Sequence, residues 1–363
     1  MASFDEVLKD CTKLGTKIPT SEYLENGKYP IIDQGQNDIA GYYDSDDGLF
    51  EDVPTIVFGD HTRVVKYVDK PCFLGADGVK LLCPLDKDIN CKYLFYQLSC
   101  ADIPNTGYNR HFKWVKALNF KIPSSDEQNH VVEVLDKVTE LISLRKQQLA
   151  KLDELVKARF VEMFGNIIHN DKSWPIHNFS DIASSRLGKM LDAKQQTGKY
   201  SYPYLANFNV QWFNFNVDNL NQMDFNEAEQ KEFELRDGDL LVCEGGEIGR
   251  CAVWHNEIQP CFFQKALHRV RCNRQLVQPD YLAWWFKYNC NHGGFAEIAG
   301  AKATIAHLPG IKLKQLQVAL PPLSLQNEFA AFVERVDQQK QTVQQSLEKL
   351  ELMKKALMQE FFG

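Results

Sequence analysis

The chain has 363 residues, a formal net charge of −7, 44% hydrophobic residues and 25% charged ones. That length is enough for two ordinary domains, each with its own core, and the composition is that of a globular rather than a disordered chain. The charge argues against a basic binder that spreads over any nucleic acid, though not against local basic patches; the charged start "MASFDEVLKDC" lacks a signal segment, and no window reaches the ~18 apolar residues of a membrane span.

Residues 1–122 are rich in Gly, Asn, aromatics and short β-type runs. "TIVFGD" (55–60) reads as a strand running into a glycine turn, "VVKYV", "PCFLG" and "VKLLCP" continue the pattern, and "CKYLFYQLSC" reads as a helix. Between Ile31 and Thr62 the charged residues are all acidic, so that face points away from phosphate.

Residues 123–165 have a different period. Val131, Leu135, Val138, Ile142, Arg145, Leu149, Leu152, Val156, Arg159 and Met163 alternate by four and three, which is a heptad seam. Pro123 precedes the predicted helix, where it costs no helical hydrogen bond, and Gly165 stops it. A helix of this length spans ~55 Å at ~1.5 Å per residue.

Residues 166–320 return to the first texture. "DLLVCEGGEIG" (239–249) is again strand then glycine turn, "CAVWH" and "PCFFQKALHRVRC" follow, and "PDYLAWWFKYNC" reads as a helix whose aromatics are core rather than base-stacking surface. Here 16 Lys and Arg balance 16 Asp and Glu. Residues 321–363 repeat the long helix, with Phe329, Val333, Val336, Lys340, Val343, Leu347, Leu350, Lys354, Leu357 and Phe361 on the seam.

A shift of 198 positions overlays the two helical stretches without a gap. Pro123 meets Pro321, Gln128-Asn129 meets Gln326-Asn327, and Phe164-Gly165 meets Phe362-Gly363. Shared coiled-coil bias explains Leu and Lys matches but not these, so the chain reads as a duplication. The globular segments are cousins too: "GKYPII" (27–32) pairs with "GKYSYPYL" (198–205), and Ser3-Phe4-Asp5-Glu6-Val7 with Asn178-Phe179-Ser180-Asp181-Ile182.

Three features together resemble the specificity subunit of a type I restriction–modification system. They are the repeated helices led by "KIPSSDEQ" and "ALPPLSLQNEF", the "FGD" and "CEGGEIGR" turns with "PCF" beyond them, and the order of segments. "FGDHTR" lacks the double glycine of "EGGEIGR", a departure from loop-by-loop equivalence. The resemblance implies an α+β fold: two β-rich target recognition domains, 1–122 and 166–320, separated by two long antiparallel coiled-coil helices, 123–165 and 321–363, in an internal pseudo-twofold repeat. It implies that each domain reads one half of a split double-stranded DNA target. The helices would set the spacer and dock two methyltransferase subunits, and a translocating nuclease subunit would join the complex. S-adenosylmethionine, ATP and Mg would belong to those partners, with no cofactor in this chain and a cytoplasmic location.

DNA reading needs Lys and Arg for phosphates, and Arg, Asn, Gln, Ser and Thr for base edges. Loops of the first segment offer His61, Thr62, Arg63 and Lys66 in "GDHTRVVK", then Asn105, Thr106, Tyr108, Asn109, Arg110 and His111 in "NTGYNRHFK". The second offers Asn207, Asn209 and Gln211 in "ANFNVQW", Glu247 and Arg250 in "GGEIGR", and Lys302 and Thr304 in "GAKAT". The polar seam residues Arg145, Arg159, Lys340 and Lys354 are candidates for fixing register or gripping a partner subunit, and Phe164 and Phe362 at the helix ends read as packing anchors that cover the opposite helix's start or a partner subunit.

Motifs for catalysis are missing. Neither "GKY" stretch has the Ser/Thr and glycines of a phosphate-binding loop, "LPPL" lacks the polar head of an adenine-methylation signature, and no nuclease cluster stands out. The ten cysteines form no C-x-x-C, and Cys290 with His292 lacks a partner pair for zinc. Two other readings remain open: a coiled-coil scaffold whose β-rich modules bind protein or carbohydrate, and an enzyme with its site at a domain junction.

Overall fold

The computed structural model describes all residues except Ala76, 193–195 and 297–306. Contacts divide the chain into two units, Met1–Gln148 with Val343–Gly363, and Leu149–Thr342. Each long helix therefore gives one end to each unit.

The first unit contains β1 (Ala2–Ser3), α1 (Phe4–Val7), β2 (Leu8–Asp10), β3 (Lys17–Ile18), β4 (Tyr29–Ile32), β5 (Gly41–Tyr43), β6 (Thr55–Gly59), β7 (Val65–Val68), β8 (Phe73–Gly75), β9 (Val79–Pro84), α2 (Cys91–Cys100), α3 (Phe112–Lys116) and β10 (Asn119–Phe120), followed by the long helix α4 (Ser125–Phe164). Its two main sheets run in the orders β2-β9-β6-β7 and β3-β8-β4-β5. Every residue of β6 is buried, which is why "IVFG" runs apolar without alternation after Thr55, whose hydroxyl donates to the Leu82 carbonyl at 2.9 Å. Phe4, Ile56, Phe58, Leu82, Leu94, Phe120 and Leu135 share one core, and Leu357, Phe361 and Phe362 from the far end of the chain pack against it.

The second unit contains β11 (Ile176–Asn178), α5 (Phe179–Ile182), β12 (Ala183–Leu187), β13 (Ser201–Leu205), β14 (Val210–Gln211), β15 (Asn214–Phe215), β16 (Asn221–Asp224), α6 (Glu227–Phe233), β17 (Leu240–Cys243), β18 (Cys251–Val253), β19 (Phe262–Phe263), β20 (Leu267–Cys272), α7 (Pro279–Asn291), α8 (Gly310–Lys314), β21 (Gln317–Ala319) and the first half of the second long helix α9 (Leu323–Phe362). The sheet β12-β20-β17-β18 repeats the order of β2-β9-β6-β7. Strand β13 pairs antiparallel with β16 and parallel with β19, as β4 does with β5 and β8. Duplication thus extends to the globular modules, and the aligned Phe4 and Phe179 are both fully covered at the start of matching four-residue helices.

Both long helices have 40 residues, and their first and last residues differ by the 198 positions of the repeat. Inside each unit they run antiparallel. In the first, Arg145 Nε donates to Ser346 Oγ at 3.3 Å and Lys146 meets Glu351 at 3.1 Å. In the second, Arg159 meets Glu328 at 2.8 Å and Lys340 meets Asp153 at 2.7 Å. Val131, Leu135, Val138, Leu152, Val156, Val336, Val343 and Leu347 of the predicted seam are buried. Phe160, absent from that seam, is buried as well and packs on Phe329 at 5.4 Å between ring centroids.

The repeated Gln-Asn pair has a structural cause. Gln128 is buried, accepts from the Asn90 N–H at 2.9 Å and donates to the Pro123 carbonyl at 2.9 Å. Gln326 accepts from the Gln278 N–H at 2.9 Å and donates to the Pro321 carbonyl at 2.7 Å. Asn90 and Gln278 are the N-caps of α2 and α7. One amide per repeat thus ties the start of a long helix to the start of the module's own helix, satisfying groups that burial would otherwise orphan.

Candidate nucleic-acid interface

In the first unit three loops meet at the turn between β6 and β7. The loop after β4 supplies Gln34, whose Oε1 accepts from the His61 N–H at 3.2 Å and whose carbonyl accepts from Thr62 Oγ1 at 2.6 Å. The segment before α3 crosses the same turn. The Asp60 carbonyl accepts from the His111 N–H at 2.8 Å and from His111 Nδ1 at 2.9 Å, and the Asp60 carboxylate accepts from the Phe112 N–H at 2.7 Å. His111 Nε2 accepts from the Thr106 N–H at 3.3 Å, which leaves the ring proton on Nδ1. His61 Nδ1 donates to the Asn109 carbonyl at 3.2 Å, and its ring lies flat on Tyr108 at 4.7 Å and 8°. Arg63 takes a left-handed backbone (φ 62°) and donates to the Ile103 carbonyl at 3.0 Å.

The result is a braced loop with an exposed crest. Asn105, Thr106, Tyr108, Asn109 and Arg110 all face solvent, and Tyr108 is 88% exposed. Such a crest offers a guanidinium and amides for base edges and phosphates, on a flat aromatic support.

The second unit repeats the plan with different side chains. Asn207, in the loop after β13, donates to the Gly245 carbonyl at 3.0 Å and accepts from Arg250 Nη2 at 2.7 Å. The segment before α8 crosses the turn after β17: the Leu308 N–H donates to the Glu244 carbonyl at 2.6 Å, and Gly245 bridges His307. His268 Nε2, from β20, donates to the Leu308 carbonyl at 3.0 Å. Burial holds the His268 imidazole below its ordinary pKa, against a weaker upward pull from that bond and from Glu244. Trp212 Nε1 donates to Glu247 at 2.6 Å, and Lys287 sits 4.2 Å above the Trp212 ring.

The candidate residues therefore divide. His61, Thr62, Arg63, Asn105, Tyr108, Asn109, Arg110 and His111 come together in one unit, and Asn207, Glu247 and Arg250 in the other. Four of the candidates are braces rather than contacts. His111 has no accessible surface, Lys66 is buried against Asp33 (3.3 Å) and the Asn37 carbonyl, and Asn209 is buried with its amide bonded to Ala206 and Asn216. Arg250 gives Nη2 to the carbonyl and the Oδ1 of Asn207. Gln211 is exposed beside the cluster, and Lys302 and Thr304 lie outside the described residues. Sequence reasoning missed Gln34, Asp60 and His268. "IIDQGQN" and "LANFN" run on from equivalent strands, β4 and β13, the signal by which Gln34 could have been paired with Asn207.

The proposed partner-gripping residues also turn inward. Phe164 is fully buried against Phe160, Tyr281 and Phe329, and Phe362 meets Tyr93 at 5.3 Å, so both anchor their own unit. Arg145, Arg159 and Lys340 bond across the helix pair as described above, and Lys354 lies 5.9 Å above the Tyr96 ring. Among the described residues no group of three His, Cys, Asp or Glu is placed to hold a metal ion. Burial pushes the Cys72, Cys91, Cys261 and Cys272 thiols up to about 12, which keeps them protonated and inert.

A chain built twice, with each half bracing polar loops on a β-rich module and contributing one of a pair of long helices, is a duplicated two-module scaffold. It belongs to the type I restriction modification DNA specificity domain family, whose model matches residues 5–154 and 171–352. It is 23% identical over 195 residues to a putative type I restriction enzyme MjaX specificity subunit of Methanocaldococcus jannaschii, covering 53% of this chain and 46% of that protein. It is 23% identical over 261 residues to a putative type I restriction enzyme specificity subunit of Haemophilus influenzae, covering 69% of this chain and 65% of the relative. The chain thus spans about half of the first relative and under two thirds of the second. The crystal structure of a type I restriction–modification S subunit from M. genitalium shares the fold, with a TM-score of 0.61, 16% identity, and coverage of 99% of this chain and 95% of that one.

Proposed function

We propose that the chain is the sequence-reading subunit of a type I restriction–modification complex, each module reading one half of a split duplex target. The observation that carries this is the paired construction: in each module loops from three parts of the chain are hydrogen-bonded around one hairpin turn. The braces recur while the exposed side chains differ, as two readers of different half-sites require. Tyr108, Asn109 and Arg110 are the base-reading candidates of the first module, and Gln211, Glu247, Lys302 and Thr304 those of the second.

The long helices would set the spacer and carry two methyltransferase subunits, through exposed apolar residues such as Leu141, Leu144, Leu155, Leu352 and Met353 rather than the buried seam. S-adenosylmethionine, ATP and Mg would act on the methyltransferase and nuclease partners in the cytoplasm, and this chain would contribute recognition without catalysis.

The test is selection of bound sequences from randomised duplex DNA, by the full chain with its methyltransferase. Two conserved blocks at a fixed gap support the reading, and one continuous block refutes it. With a net charge of −7, the chain alone should bind duplex weakly and lose that binding as salt rises. A nanomolar, salt-insensitive Kd for the isolated chain would contradict this.

A further inference from the structure

The two modules brace their reading loops with histidines that come from different places in the fold. His111 lies in the first module's loop itself and donates from Nδ1 to the Asp60 carbonyl at 2.9 Å. His268 lies on β20 of the second module and donates from Nε2 to the Leu308 carbonyl at 3.0 Å. The described segments they secure match: His111 and Leu308 each lie just before a short helix, α3 or α8, and each bonds the residue that follows the hairpin's first strand. Asp60 there accepts from the His111 N–H at 2.8 Å, and Glu244 accepts from the Leu308 N–H at 2.6 Å. Both imidazoles are buried, with 0% and 1% of their surface accessible, so neither reaches a DNA groove.

The setting explains why a histidine is used. A lone loop-to-hairpin hydrogen bond leaves the loop free to swing. A buried ring with one N–H fixed on a carbonyl adds a second, rigid point of attachment. In the first module the same ring also accepts from the Thr106 N–H at 3.3 Å, and so spans the base of the exposed crest from Thr106 to Asp60.

We infer that His111 and His268 are positioning residues for sequence discrimination, each acting on its own half-site: His111 latches its segment to the hairpin turn at Asp60, and His268 latches the segment at Leu308 to β20, the strand beside the hairpin. This rests on the reading of the chain as a bipartite DNA reader and goes further by assigning half-site fidelity to two side chains that touch no DNA. The latches are separate, so their effects should be separable.

The experiment repeats the selection from randomised duplex DNA with the full chain and its methyltransferase, using four variants. His111→Phe and His268→Phe keep a ring in the core and remove the latch donor. His111→Asn retains a donor at the position of Nδ1, and His268→Gln retains one at the position of Nε2. Each Phe variant should lower discrimination at one half-site by about tenfold, the scale of one mismatched base pair, while the other half stays as sharp as in the unmutated chain. The Asn and Gln variants should restore most of the loss. Equal loss of affinity across all duplexes would assign the histidines to stability alone and overturn the inference, as would Phe variants that discriminate normally. An unmutated chain that selects no split sequence would instead sink the bipartite reading itself, and the latch inference with it.

Discussion

The side chain of Gln128 shows how much one residue contributes to this architecture. It bonds the Asn90 N–H at the start of α2 and the Pro123 carbonyl ahead of α4, and Gln326 does the same between α7 and α9. Replacing either by Leu strands buried backbone groups, so each substitution should cost about 1–3 kcal/mol, read as a lower urea midpoint with an unchanged slope. His268 allows a pH test of the same kind. Its folded-state pKa lies below the ordinary value because burial disfavours the charged ring. The unfolded chain therefore binds a proton that the folded one resists. The contribution is complete above about pH 6.5 and is lost as pH falls below it. Urea midpoints at pH 7.5 and 5.5 should differ more for the unmutated chain than for His268→Gln; equal differences would remove His268 as a cause.

Among the elements, the two long helices were the most legible. Heptad spacing, the flanking prolines and, for the first helix, Gly165 marked them, because each of those features acts locally. That Phe164 packs as an anchor was legible, but the surface it meets was not, since that depends on Tyr281, more than a hundred residues away, presenting an aromatic face at 4.8 Å. Phe164→Ala should destabilise the second unit by about 3–5 kcal/mol, the range for a fully buried phenylalanine. Phe362→Ala should cost less, because Phe362 is only partly buried. Thermal unfolding of the two variants compares them directly. The ruler role proposed for the helices has its own test. Deleting one heptad from each, 144–150 and 342–348, keeps the seam in register. The selected DNA should keep both half-sites and shorten the gap; an unaltered gap would contradict the ruler.

For the molecule as a whole, duplication was legible because it leaves an identical offset in residues that coiled-coil bias does not explain. The modules were readable as cousins from their strand and turn signals, and the matching sheet orders agree with that. The braces were not readable. Lys66, Asn209, Arg250 and His111 are polar residues on Gly- or Asn-containing stretches, the same signature as a DNA contact. Only burial against Asp33, Asn216, Asn207 and Asp60 separates one use from the other. The central claim, that one chain reads a split target with two separately built modules, is tested most directly by mapping methylated bases in a genome that carries this chain with its methyltransferase. The account predicts methylation at a two-part motif of fixed gap that disappears when this chain is deleted. A continuous motif, or a methylation pattern unchanged by the deletion, would contradict it.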